Sequence, residues 1–261
     1  MTRLLRSATW ALLAFLPASL ALAAPAGQIS ESKGFVTVGA PEKSPVSAKK
    51  GSGVDPGQVI TTGTNGQAVI KFQDGQIIAL KSNSIFKVNS YKFDQASPEK
   101  GESVFALLQG GLRAITGLIG SNNKAGWRLA TPTATAGVRG TDFLVAIQQA
   151  TYFKVNSGAI AVTNAGGTTI VSAGESAAVA TSSSAGSLVP ASQLPAGIFT
   201  ELEAMTLASG AVGGAAAGAA GAGGAAIGGV PVWAIGLGVA AGVGAAAAGG
   251  GGSDDSTTTN H

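Results

Sequence analysis

One short segment, residues 131–143, carries residue types that bind ligands or partners in other proteins. Its sequence is TPTATAGVRGTDF. Thr131 and Pro132 predict an extended entry, because proline fixes its own φ and keeps the preceding residue out of the helical region. Arg139 stands between two glycines, a setting that favours contact with backbone carbonyls or a carboxylate and leaves a structural and a ligand-binding arginine as alternatives. The candidate residues of this motif are Thr131, Pro132, Gly137, Val138, Arg139, Gly140, Thr141 and Phe143.

Few other residues suit catalysis or metal binding. The single histidine is His261, the last residue, and a terminal histidine supports neither a Ser-His-Asp triad nor a histidine metal site. We expect Asp142 and Glu175 to form an ion pair with Arg139 or Arg113. The sequence therefore predicts a protein that is not an enzyme and has no cofactor and no metal. A hydrolase would have to use the carboxylates Asp74, Glu102, Asp142 and Glu175, of which Asp74 stands in a turn sequence that favours aspartate.

The N-terminal residues have the composition of an export signal. Arg3 and Arg6 precede an apolar stretch at residues 10–22, and Ala21-Leu22-Ala23 forms an A-x-A cleavage site. Residues 1–23 are therefore predicted to be a signal peptide, with an uncleaved membrane anchor as the alternative. The chain has no cysteine, which excludes disulfides, thiol chemistry and a lipidated cysteine.

The charge balance gives no support to nucleic-acid binding. Removal of Arg3 and Arg6 reduces the 16 basic residues to 14, against 13 acidic ones, so the mature chain is nearly neutral. Nucleic-acid binding requires a clustered basic face. We therefore expect no nucleic-acid partner.

Between residues 29 and 179, short β-type segments alternate with turns. The segments are rich in Val, Ile, Thr and Phe, and their spacing of about eight to ten residues is typical of a sandwich, a barrel or a short solenoid. The predicted strands are residues 59–62, 68–72, 76–80, 85–88, 104–108, 143–147, 151–155, 159–163 and 168–171. The predicted core is Val69, Phe72, Ile78, Leu80, Phe86, Val88, Phe105, Leu112, Ile115, Trp127, Val138, Phe143, Val145, Phe153, Val155, Ile160 and Val162.

Several motifs follow one another in order along this region. They are GQVITTG from residue 57, GQAVIKF from 66, DGQIIAL from 74, LQGGLR from 108, the motif at 131–143, TYFKV from 151 and SGAIAV from 157. Over about residues 29–180 this ordered set resembles the FecR domain, a β-rich periplasmic module. The resemblance implies an all-β fold, either a twisted β-solenoid or a β-sandwich-like stack.

The resemblance also implies a class of function. FecR family regulators typically have a cytoplasmic sigma-binding domain, one inner-membrane span and a periplasmic FecR domain that meets the signalling domain of an outer-membrane transporter. Here we expect that only residues 1–6 could remain in the cytoplasm, which is too short for a sigma-binding module. The chain therefore resembles exported proteins that have the FecR domain without that module. We expect a non-catalytic binding or scaffolding protein of the periplasm or cell envelope, whose partner is another envelope protein or a glycan. The alternative is an envelope signal-relay protein that retains a membrane anchor.

The composition changes after residue 180. Residues 181–208 are expected to form a linker with one short amphipathic helix, because apolar side chains recur there at i, i+4 and i+7. That helix would either pack on the β domain or bind a partner, and Glu201 and Glu203 would lie away from its apolar side.

Residues 209–252 are rich in Gly and Ala and carry no charge, and we expect them to be helical or disordered. Residues 230–249 are long enough to cross ~30 Å of hydrocarbon, but their glycines make insertion marginal. The alternatives are a membrane anchor or oligomerising hairpin, a flexible tail, and a surface association segment. On a helix, self-association would use the glycine groove formed by Gly210, Gly214 and Gly218. Residues 253–261 form a polar tail.

Overall fold

The computed structural model describes residues 24–207 of the chain except Pro41, Arg139 and Thr206. The signal peptide predicted at residues 1–23 lies outside the described residues. So do the Gly/Ala-rich segment at 209–252 and the polar tail at 253–261.

Strands dominate the described part of the chain. In chain order they are β1 (Gly27–Lys33), β2 (Val36–Gly39), β3 (Val46–Ser47), β4 (Gly53–Val54), β5 (Val59–Thr62), β6 (Gln67–Phe72), β7 (Ile77–Leu80), β8 (Ile85–Lys92), β9 (Glu102–Gln109), β10 (Gly111–Ile115), β11 (Trp127–Ala130), β12 (Thr135–Val138), β13 (Asp142–Ile147), β14 (Thr151–Ser157), β15 (Ala159–Asn164), β16 (Gly167–Ser172), β17 (Ser176–Val179) and β18 (Ser187–Leu188). The helices are short: α1 is Leu118–Asn122 and α2 is Thr200–Glu203, with 3₁₀ turns at Pro98–Lys100, Lys124–Gly126 and Ala191–Gln193.

These strands form two nine-stranded sheets. Sheet A has the order β18-β17-β14-β13-β10-β7-β6-β1-β4, and sheet B has the order β16-β15-β12-β11-β9-β8-β5-β2-β3. Hairpins alternate between the sheets, as with β6–β7 in sheet A and β8–β9 in sheet B. Strands β9 and β11 are parallel, which requires a crossover connection, here through β10 and α1. The all-β prediction is confirmed, and of its two forms the structure has two stacked, largely antiparallel sheets.

The facing surfaces of the two sheets form one hydrophobic core. In β6, Ala68, Ile70 and Phe72 point into this core, because side chains alternate between the two faces of a strand. Val69 therefore points outward, and its prediction as a core residue is wrong. The same error applies to Ile115, which is half-buried at the end of β10.

Aromatic rings in tilted and edge-to-face contact connect the two sheets through the core. Phe72 of sheet A contacts Phe105 of sheet B, with ring centroids 5.2 Å apart. Phe105 contacts Trp127 at 5.9 Å, and Trp127 contacts Phe143 of sheet A at 5.7 Å. Such pairs add a directional preference to the burial of apolar area.

A buried polar network lies beside these rings. The indole Nε1 of Trp127 donates to Oε1 of Gln76 at 2.8 Å, and Nε2 of Gln76 donates to Oγ of Ser103 at 3.2 Å. These hydrogen bonds join the chain entering β7 to β9 and β11. Buried polar side chains need such partners, since an unpaired one costs about 1–3 kcal/mol.

Asp74 extends the network to the start of α1. Its carboxylate is 1% exposed and accepts hydrogen bonds from the Tyr91 hydroxyl at 3.1 Å and from the Ile119 N–H at 3.2 Å. Burial raises the pKa of Asp74, although the hydrogen bonds that it accepts act in the opposite direction. Asp74 lies at a turn as expected, but its side chain also holds the first turn of α1 against the core.

The segment around α2 covers part of the outer face of sheet A. Strand β13 is buried on both faces: alternate residues face the core between the sheets, while Leu144 and Ala146 face outward. This outward pair packs against Ile198, Phe199 and Leu202. The residues predicted to form an amphipathic helix thus pack on the β domain, but the helix itself spans only Thr200–Glu203.

Glu201 attaches α2 to sheet A. Its Oε1 accepts from Nε2 of Gln67 and from the N–H of Ser82, and its Oε2 accepts from the Ser82 hydroxyl, each at 2.8 Å. The expectation that Glu201 lies away from the packed side is therefore wrong. Partial burial acts to raise the pKa of Glu201, but these hydrogen bonds and the charge of Lys81 outweigh it and lower the pKa below its ordinary value of 4.5.

We predict that Glu201 makes the stability of the domain depend on pH. Because its pKa is lower in the folded protein, its contribution is present above the unfolded-state pKa and is lost as the pH falls through the folded-state pKa. Urea unfolding should therefore show Glu201→Gln less stable than wild type at neutral pH and the two proteins converging at about pH 3. Glu99→Gln, at an exposed turn, is the charge-matched control. A Glu201→Gln deficit that is unchanged in acid would contradict this role.

Candidate functional site

The motif at residues 131–143 passes from sheet B to sheet A. Thr131 follows β11, and its hydroxyl donates to the Ala134 carbonyl at 2.8 Å while accepting from the Ala134 N–H at 3.1 Å. Pro132 lies within this turn. The beginning of the motif is therefore a hydrogen-bonded turn that leads into β12.

The second half of the motif supplies core residues to both sheets and one residue to the outer face of sheet B. Val138 at the end of β12 and Phe143 in β13 are both buried in the core. Gly137 lies on the opposite side of β12, in line with Arg128 and Ala161 of the neighbouring strands. The motif thus supplies core packing from two sheets and one position on the outer surface.

The crossover between β12 and β13 is tightly packed. Gly140 has a φ of 65°, and the Thr141 N–H donates to Oγ1 of Thr116 at 2.8 Å. The Thr116 N–H in turn donates to the Thr141 carbonyl at 2.9 Å. Gly158 has a φ of 76°, and a Cβ there would overlap the Gly140 carbonyl oxygen. Among the described residues, the buried Oγ1 of Thr141 has no hydrogen-bond partner.

The arginine that pairs with Asp142 is Arg113. Its Nε donates to Oδ1 at 2.8 Å and its Nη2 donates to Oδ2 at 2.6 Å, and both side chains are 19% exposed. The hydrogen bond to Asp142, together with the carboxylate charge, raises the pKa of Arg113 against the effect of partial burial. This pair joins β10 to β13 on the outer face of sheet A. Arg139, the other arginine considered, lies outside the described residues.

The remaining carboxylates considered for hydrolysis have structural partners. Glu175 accepts a hydrogen bond from the Ser172 N–H at 2.7 Å. Glu102 lies 3.3 Å from Nζ of Lys92 and accepts from the Ser90 hydroxyl at 3.3 Å. Within the described residues, no group of three or more His, Cys, Asp or Glu side chains is arranged to hold a metal ion.

The outer face of sheet B is lined mainly by small side chains. Strand register places these residues in rows, because directly paired residues project from the same face. One row consists of Val59, Lys87, Ala106, Ala130, Thr135, Thr163 and Thr168. The adjacent row consists of Ser90, Val104, Arg128, Gly137, Ala161 and Ile170. We call these two rows the outer face of sheet B.

Both charges in these rows are positive. Lys87 and Arg128 form no salt bridge with any described residue. A shallow groove of about 350 Å³ lies beside Arg128, and its lining includes Lys124, Thr135, Gly137 and Ala161. A Cβ at Gly137 would meet no atom within 4 Å, so the floor of the groove is open there. A flat floor beside unpaired cations suits a partner that offers carboxylates or other anionic groups.

Motif analysis did not identify this face. Its signal is nevertheless present in β15, where Ala159, Ala161 and Thr163 alternate with the buried Ile160 and Val162. In a strand with period-two alternation, the large apolar residues identify the side that faces the core. The small residues between them identify the flat outer side.

The part of the chain that the structure describes has no helix long and apolar enough to cross a membrane. The segment at residues 230–249, considered above as a membrane span, lies outside that part. The glycines Gly210, Gly214 and Gly218 lie outside it as well.

Comparison with protein families matches residues 58–161 to the model described as FecR protein. The resemblance drawn from the ordered motifs is confirmed over this stretch, which extends from the entry of β5 into β15. No curated protein matches the chain.

Solved structures give a more distant similarity. Two crystal structures of a proposed anti-sigma factor from Parabacteroides distasonis ATCC 8503, at 1.65 Å and 2.50 Å resolution, each align with 15% identity and a TM-score of 0.39. Each alignment covers 50% of this chain and 57% of the other chain. The chain thus matches just over half the length of these proteins, and a similarity at this level supports no conclusion about function.

We predict that two glycines of this region differ sharply in their tolerance of a side chain. Gly158→Ala should lower the free energy of unfolding by at least about 1–2 kcal/mol, because the residue has a left-handed conformation and its Cβ would overlap Gly140. Gly137→Ala is the matched control and should change stability by less than about 0.5 kcal/mol. Urea unfolding measures both, and equal effects would contradict the packing described for the crossover.

Proposed function

We propose that this chain, whose residues 58–161 match the FecR model, is an exported, non-catalytic protein that binds another component of the bacterial cell envelope, either a protein or a glycan. The proposed binding surface is the outer face of sheet B. In this proposal the protein acts as a binding or scaffolding module in the periplasm or envelope.

The proposal rests on one difference between the two sheets: apolar residues of the chain pack on the outer face of sheet A only, among the described residues. The outer face of sheet A is partly covered by the chain itself, since Leu144 and Ala146 pack against the α2 segment. Among the described residues, no such cluster of buried apolar side chains covers the outer face of sheet B. A broad, regular face without such a cover is a suitable docking surface for a partner.

The chemistry of this face favours an anionic partner. Its central rows contain small aliphatic and hydroxyl side chains, which give a flat contact area and hydroxyl donors. Lys87 and Arg128 add positive charge, and neither forms a salt bridge with a described residue. An arginine in this setting can bind a carboxylate in a bidentate manner. Acidic protein segments and acidic glycans both offer such groups.

The non-catalytic part of the proposal is supported by the positions of the carboxylates. Asp74 holds α1, Asp142 pairs with Arg113, and Glu175 accepts from a backbone amide. Each of these groups therefore has a structural role. A general acid or base would need to be free to exchange a proton with a substrate.

Photocrosslinking in cells that produce the full-length protein tests the binding surface. A photoreactive phenylalanine analogue at Gly137 should fit without disturbing the fold, because the position is open, and should form adducts with the partner. Arg128→Glu in the same protein should reduce the adduct yield by at least about tenfold, the factor that corresponds to 1.4 kcal/mol of binding free energy.

The same analogue at Lys71, an exposed position of β6 in sheet A, is the control. Adducts at Gly137 that are lost with Arg128→Glu would support the proposal. Absence of adducts at Gly137, or equal yields at Gly137 and Lys71, would contradict it.

N-terminal sequencing of the protein from the same cells tests export and separates this proposal from its alternative. Cleavage after Ala23 is expected for an exported protein. A retained N-terminus in the membrane fraction would instead favour an anchored signal-relay protein. Retention of the unprocessed chain in the cytosol would contradict both.

A further inference from the structure

Strand β16 is the long edge strand of sheet B. It consists of six residues, GTTIVS, and among the strands that the structure describes it pairs with β15 alone. The other three terminal strands of the two sheets, β3, β4 and β18, have two residues each. Only β16 among them therefore offers a full strand of backbone groups to a neighbour.

The backbone groups of β16 that point away from β15 can be identified from Ser172. Its N–H donates to the Glu175 carboxylate at 2.7 Å, and its carbonyl accepts from the Glu175 N–H at 3.0 Å. Ser172 therefore directs its backbone away from β15. Because this direction repeats every second residue in an antiparallel strand, the N–H and C=O groups of Thr168 and Ile170 also point outward.

Between Thr168 and Ile170, this edge lacks the features that usually prevent strands from pairing between molecules. Glu175 is the only charged residue between positions 155 and 200, and β16 contains no proline. Its Ile170 side chain is 48% exposed. At the opposite edge of sheet B, the two-residue strand β3 is preceded by Pro45 and flanked by Lys43 and Lys49. Short length, proline and lysine are the common means of protecting an edge.

We propose that β16 pairs with β16 of a second copy of this chain, antiparallel and across a two-fold axis, so that sheet B continues from one molecule into the other. In this register Thr168 of each copy lies opposite Ile170 of the other, and their outward N–H and C=O groups exchange hydrogen bonds. Thr169 of one copy then lies opposite Thr169 of the other.

The chemistry of the edge favours a second copy. A two-fold contact brings identical surfaces together, so a charge at its centre would face a like charge. Strand β16 has no charged residue, and the Glu175 carboxylate lies at its far end, on Ser172. The Thr168 methyl group of each copy would cover the exposed Ile170 of the other, a favourable cross-strand pair. On the side of β16 that faces the core, the chain at Gly186 already packs against the strand, since the Thr169 hydroxyl donates to the Gly186 carbonyl at 2.6 Å. No described residue pairs with the outward backbone groups of Thr168 and Ile170.

This pairing goes beyond the proposed binding function and does not depend on it. The two rows of the outer face of sheet B end at Thr168 and Ile170. Pairing at β16 would therefore join the outer faces of two molecules into one continuous surface. A partner with repeated anionic groups would then meet two binding faces held side by side.

Sedimentation equilibrium of the full-length mature protein tests the proposal. Wild type should be dimeric, and Ile170→Lys should weaken dimerisation by at least about tenfold, because it places like charges at the two-fold contact. Leu108→Lys is the matched control: Leu108 is 51% exposed in β9, within the sheet, and its replacement should leave the dimer unchanged. A monomeric wild type, or an Ile170→Lys protein that associates as wild type does, would overturn the proposal.

Cysteine cross-linking provides a test that does not perturb the edge charge. The chain has no natural cysteine, so a single introduced cysteine reports only contact between copies. In the proposed register Thr169 faces its copy in a non-hydrogen-bonded pair, where the Cα separation of about 4.5 Å permits a disulfide. Thr169→Cys should oxidise to a covalent dimer at least about tenfold faster than Thr135→Cys in β12, since thiol oxidation between copies requires close contact. Equal rates for the two variants would overturn the proposal.

Discussion

Strand β13 is apolar on both faces, and this constraint governs the arrangement of the rest of the domain. Phe143 and Val145 point into the core between the sheets, while Leu144 and Ala146 point out of the sandwich. Exposure of that outer pair would cost hydrophobic free energy, at roughly 25 cal/mol per Å² of apolar surface. The segment around α2 removes this surface from water by packing on sheet A. Among the described residues, no second cluster of buried apolar side chains lies on the outer face of sheet B.

Inside the sandwich, the side chain of Trp127 connects the two sheets. Trp127 combines apolar contact with Phe105 and Phe143 and a hydrogen bond to Gln76. Asp74 continues the polar part of the link to the first turn of α1. Since this connection lies where the chain crosses from β10 to β11, it positions the strands that carry the motif at residues 131–143. The motif thus contributes mainly to the core, through Val138 and Phe143, and only Gly137 contributes to the outer face of sheet B.

The sequence predicted strands well where large β-branched residues and turn residues alternate clearly. Residues 59–62 match β5, and the strand predicted at 143–147 differs from β13 only at its first residue. Strands β10, β11 and β12 were not identified, because Gly111, Gly137 and the short apolar runs around them weaken the local β signal. Val69 was placed in the core by hydrophobicity alone, although strand alternation with Phe72 gives it the opposite face.

By itself, the sequence determined the β-rich class, the FecR resemblance now matched over residues 58–161, and the large residues that build the core. These follow from composition, local periodicity and the order of motifs, which are properties of neighbouring residues. Tertiary structure alone decided that Arg113 pairs with Asp142, that Glu201 attaches α2 to sheet A, and that small residues of separate strands form one flat face. The reason is physical: these relations depend on the register between strands that are distant in the chain, and register is fixed by the packing of the whole sandwich.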